Sequence, residues 1–64
     1  MKIYELIKYK DLTAALYMIP ETCHWEWRCE ETGNRLRLPA TYFYEELLER
    51  GNTWLVAIYN LKDK

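Results

Sequence analysis

The chain has 64 residues, half of them hydrophobic and 16% aromatic, with three Trp and six Tyr and a formal charge of −1. That length allows one domain, 1–64, which buries only about 60% of its unfolded surface, so a dense aromatic core or association with another chain has to supply stability. The near-neutral charge argues against a partner held mainly by electrostatics, and no apolar run reaches the ~20 residues of a membrane-spanning helix.

In chain order, residues 2–9 (KIYELIKY) read as a short strand, β-branched and aromatic residues tipping the balance away from a helix. The same segment also fits the start of a longer amino-terminal helix running to about Met18. It lacks the apolar core and small-residue cleavage site of a secretion signal, which makes the cytoplasm, with free thiols, the expected location. Leu12, Ala15, Leu16 and Ile19 have helical spacing behind a candidate N-cap, Asp11, and predict a short helix or turn near 12–19 that Pro20 stops.

Cys23, Trp25, Trp27 and Cys29 then alternate with His24, Glu26 and Arg28. This period of two predicts a strand with an apolar and a titratable face. Its partner is Arg35–Leu38 and Gly33-Asn34 is the natural turn, giving a hairpin over about 22–38. Matching faces suggests a register in which Cys29 meets Leu38, Trp27 meets Ala40 and Glu30 meets Arg37. Thr41 is a candidate N-cap for a helix over 42–50, closed by Gly51 as its left-handed cap. Residues 53–59 (TWLVAIY) read as a strand apolar on both faces, and 60–64 as a flexible tail. The expected fold is therefore α+β: a small, mostly antiparallel sheet built on the central hairpin and strand 53–59, with helix 42–50 packed on it.

Chemistry is sparse. Cys23, His24 and Cys29 are residue types that suit zinc, but in a continuous strand His24 points away from both thiols. Six residues at roughly 3.3 Å each would hold the sulfurs about 20 Å apart, so no metal, disulfide or other cofactor is expected. His24 and Glu26 share a face without a nucleophile beside them, and no phosphate-binding loop or nucleophile elbow is present, so no catalytic residue is assigned and the chain does not read as an enzyme. The excess of aromatics favours a protein-interaction module presenting Trp25, Trp27, Tyr42 and Tyr44 to another protein or to a second copy of the chain. A two-fold pairing of the strand about Glu26 is one geometry for such a copy. The alternative is a small nucleic-acid-binding protein using Arg28, Arg35 and Arg37 with exposed aromatics. No membrane partner is expected.

Overall fold

A computed structural model describes residues 2–62. The elements run β1 (Ile3–Tyr9), β2 (Leu12–Ile19), β3 (His24–Cys29), β4 (Arg35–Pro39) and α1 (Tyr44–Lys62). The four strands form one antiparallel meander in the order β1-β2-β3-β4, with α1 laid across one face. The α+β class and the antiparallel sheet carrying a packed helix are as the sequence predicts, and so is a strand in the 2–9 segment.

Two elements differ. Residues 12–19 form a strand, not a helix. β2 lies between β1 and β3 and buries Ala14, Ala15 and Leu16 in succession. With Ala15, Tyr17 and Ile19 on the side away from α1, β2 lacks the polar alternation that identifies strands, and its apolar positions then match helical spacing by coincidence. Asp11 is accordingly no N-cap: it sits in the two-residue turn between Tyr9 and Leu12, where Lys10 takes φ 57°. Residues 53–59 are the second case, because they lie within the 19-residue α1. Leu47, Gly51, Leu55 and Ile58 are its buried residues, spaced i, i+4, i+8 and i+11 on one stripe that runs straight through the glycine. The β preference of Thr53, Val56 and Ile58 is overridden by that packing. Residues 60–62 belong to the helix rather than to a tail, and 63–64 lie outside the described residues.

The helix begins later than Thr41 suggests. The Phe43 carbonyl accepts the first helical bond from Leu47 N–H (3.0 Å), and the Glu46 carboxylate reaches back to Phe43 N–H (3.2 Å). Phe43 is thus the N-cap, served by half a capping box, and Glu45 and Glu46 complement the positive end of the helix dipole. At the other end Lys62 pairs with Asp11 of the β1–β2 turn, which fastens the last helical turn to the sheet.

The 24–39 hairpin is present in a different register. Trp27 faces Leu36 rather than Ala40, Trp25 faces Leu38, and Glu26 faces Arg37. The displacement is an even number of residues, so every side chain keeps its expected face while Glu30 and Glu31 move out of the ladder into the loop. That loop closes with Cys29 N–H to Asn34 O (2.9 Å) and Gly33 N–H to Cys29 O (2.8 Å), and Gly33 supplies the left-handed residue (φ 79°). Cys23 is outside the strand. It occupies the β2–β3 turn at φ 56° with its side chain exposed, whereas Cys29 is buried, and both are free thiols.

The core fills the helix-facing side of the sheet. Leu12, Ala14, Leu16, Trp27, Cys29 and Leu38 meet Leu47, Leu55 and Ile58 there. Trp27, fully buried, donates its indole N–H to the Leu47 carbonyl at 2.9 Å. The indole lies against Gly51 so closely that a Cβ placed there would stand 2.5 Å from Trp27 Cε2. Gly51 is therefore the notch into which the tryptophan fits, and not the end of the helix.

Candidate interaction surface

With α1 on one side, the other face of the sheet is uncovered. Antiparallel register places directly opposed residues on a common face, which assembles two cross-strand rows here: Leu6, Ala15, Arg28, Arg35 and Ile3, Tyr17, Glu26, Arg37. Ile19 and His24 extend the face at one end and Lys8 and Thr13 at the other. The β1–β2 half is thus largely apolar and the β3–β4 half largely arginine.

Glu26 sits at the centre of the arginine half, 2% exposed on a face that no other element covers. Its burial comes from its neighbours: Arg28 Nε donates to Oε2 at 2.5 Å and Arg37 Nε to Oε1 at 3.3 Å. Arg28 also lies over the Tyr17 ring, 4.6 Å from its centroid, a cation–π contact that flattens the guanidinium onto the sheet. Burial pushes the Glu26 carboxyl up and is the strongest single influence on it. The Arg28 hydrogen bond and charge, the Arg37 hydrogen bond and the Arg35 charge together outweigh it and hold the group below its ordinary value. His24 completes the cluster: Nδ1 meets Thr22 Oγ1, and Nε2, buried without a hydrogen-bond partner, stands 3.9 Å from Glu26 Oε1.

The sequence-derived residues are thus divided. Arg28, Arg35 and Arg37 come together on the uncovered face. Trp27 is in the core, and Trp25 is half-buried on the helix side with Tyr4 edge-on to it at 5.3 Å. Tyr42 is half-buried beneath Arg50, at 5.8 Å. Tyr44 is exposed and its hydroxyl donates to the Glu5 carboxylate, a bond that raises the phenol above its ordinary value together with desolvation and the Glu5 charge. The four aromatics therefore present no common surface, because the apolar face of β3 is the one the helix covers. The pairing of β3 with its own copy about Glu26 is also ruled out, since both edges of β3 are taken by β2 and β4. Sequence reasoning missed Tyr17, Ile3 and Leu6 as members of the uncovered face. Recognising 12–19 as a strand would have found them.

Among the described residues, no three His, Cys, Asp or Glu side chains gather in a way that suits a metal ion, and no helix is long and apolar enough to cross a membrane. Comparison with protein-family models, curated proteins and solved structures finds no match to this chain.

Proposed function

We propose that this chain is a small, non-catalytic interaction module of the cytoplasm that binds an acidic segment of another protein on its uncovered sheet face. One observation carries the reading. A chain with a formal charge of −1 places Lys8, Arg28, Arg35 and Arg37 against a single carboxylate, Glu26, on that face, beside the apolar side chains of Ile3, Leu6 and Ile19. Arginine next to apolar area is the composition of binding hot spots, and complementary charge orients a partner. Arg35 and Arg37 are exposed on the edge strand, where a partner's carboxylates reach them without breaking the buried Glu26 contacts. The two free thiols suit a reducing compartment.

Nucleic acid would use the same arginines, but the only aromatic ring in the rows of this face is Tyr17, half-buried with Arg28 lying over it, so the face carries no run of exposed aromatics for successive bases to stack on. The readings separate in one experiment. Affinity capture from nuclease-treated lysate is expected to retain a defined protein on the wild-type chain, to lose it on Arg35→Glu/Arg37→Glu, and to weaken as salt is raised. Capture indifferent to that charge reversal, or abolished by nuclease treatment, would reject the proposal.

A further inference from the structure

We propose that a second copy of this chain pairs antiparallel with the free edge of β1, about a two-fold axis passing at Leu6. This surface is the sheet's edge and does not depend on what binds its face.

The direction of the backbone groups shows what the edge requires. Thr13 turns both of its groups towards β3: its carbonyl accepts from Glu30 N–H (2.9 Å) and its N–H donates to Glu31 Oε1 (2.7 Å). Alternation then directs Ala15 the same way and Ala14 towards β1. Leu6, opposite Ala15, therefore turns its N–H and C=O outward, and Lys8 follows. The demand is visible in the isolated chain, where Leu6 N–H is met by its own neighbour, Glu5 Oε1, at a long 3.3 Å. A strand laid alongside supplies a better acceptor, while Glu5 remains held by Tyr44.

Exposed apolar surface gathers at the same edge. Ile3 (42% exposed), Tyr4 (52%) and Leu6 (53%) are all on β1, and Tyr44 is bonded to it. Only a few self-pairings are open to the strand, because a two-fold axis normal to the sheet must pair residues of the same face. Centred on Leu6, the pairing sets Leu6 against its copy on the uncovered face and Glu5 against Ile7 on the helix side. The β-bulge between Ile3 and Glu5, which leaves Ile3 on the uncovered face and Tyr4 against Trp25 on the helix side, ends the match beyond them. No like charges within the strand face each other. Centring on Glu5 would oppose two carboxylates, and centring on Ile7 would set each Leu6 against a lysine. The self-complementary register selects a second copy over an unrelated strand. The product is a continuous eight-stranded sheet whose apolar middle is flanked by the two arginine clusters.

The test is solution mass by sedimentation over a concentration series, together with disulfide trapping in a Cys23→Ser background. The wild-type chain is expected to reach the mass of a dimer, and Leu6→Lys to weaken it about 100-fold, two buried leucines being exchanged for facing charges. Because Leu6 is half exposed, this variant keeps the fold, which near-ultraviolet circular dichroism of buried Trp27 verifies. Leu6→Cys is expected to cross-link to its own copy under mild oxidation, since hydrogen-bonded antiparallel partners stand at about 5.5 Å between Cα atoms. Lys8→Cys, roughly 13 Å from its copy, is expected not to cross-link. A wild-type monomer at all concentrations, a dimer indifferent to Leu6→Lys, or equal trapping at both positions would overturn the inference.

Discussion

Gly51→Ala is expected to destabilise this protein, although the same exchange in an ordinary helix stabilises it. Alanine gains about 1 kcal/mol over glycine in a helix interior. Here the added methyl would stand 2.5 Å from Trp27 Cε2 and 2.7 Å from Nε1, within the core, where neither partner has room to yield. Overpacking of this kind costs about 1–3 kcal/mol, and lifting α1 off the sheet also stretches the indole bond to the Leu47 carbonyl. The net effect is a loss of about 1–2 kcal/mol, or roughly 4–16 °C in Tm for a domain of this size. Thermal denaturation checks the sign. A double-mutant cycle checks the cause, because Trp27→Leu removes the ring that collides, so the penalty of Gly51→Ala should shrink or reverse in that background. Equal penalties in both backgrounds would show that the notch is not the reason.

Glu26→Gln is the second large effect, with an expected cost of about 2 kcal/mol and a characteristic pH dependence. The buried carboxylate accepts from two arginines, and removing its charge leaves both without a counter-ion. The cost falls below that of a fully buried pair because the Arg28 and Arg37 side chains are 30% and 70% exposed and recover water. The folded-state pKa of Glu26 is lowered relative to an unfolded carboxyl at about 4.3. Its contribution is therefore fully present above that value and is lost as pH falls through the lower, folded-state one. Wild-type stability should drop more steeply than that of Glu26→Gln below about pH 4.5. A residual slope should remain in the variant from Asp11, held low first by its bond to Lys62, and from Glu31, held low first by Thr13 N–H. Urea denaturation at a series of pH values measures both curves. Parallel acid limbs would mean that the arginines do not stabilise the ionised form.

Legibility in the sequence followed local alternation. His24 to Cys29 has one apolar and one charged row, and both its strand character and the facing of its side chains are written there. β2 has no such contrast, because Ala15, Tyr17 and Ile19 make its second face nearly as apolar as its helix side, and its spacing mimics a helix. Gly51 misled for a different reason. A glycine near the end of a helical pattern is usually a cap, and only the tertiary contact with Trp27 reveals it as a space-filling choice. The hairpin register is not legible because the Gly33-Asn34 pair signals a tight two-residue turn, while the observed loop sets Glu30 and Glu31 outside the ladder. For the candidate surface, the three arginines were legible as a cluster, since their parity survives any even register shift. Their apolar neighbours from β1 and β2 were not, because which strands flank the hairpin is a matter of topology, and the alternation that places Trp25 and Trp27 on one face does not say that this is the face the helix takes.

The meander has one further consequence, which concerns how the chain assembles. Every strand pairs with its neighbour in sequence, so each hairpin closes over a short loop, and such local topologies fold quickly. The helix follows the four strands in chain order, yet among the described residues it is the element laid over Leu16, Trp27 and Cys29. During synthesis the sheet's apolar side therefore has no lid until Leu55 and Ile58 have been made. Seating Gly51 against Trp27 is then the contact that closes the core over the sheet.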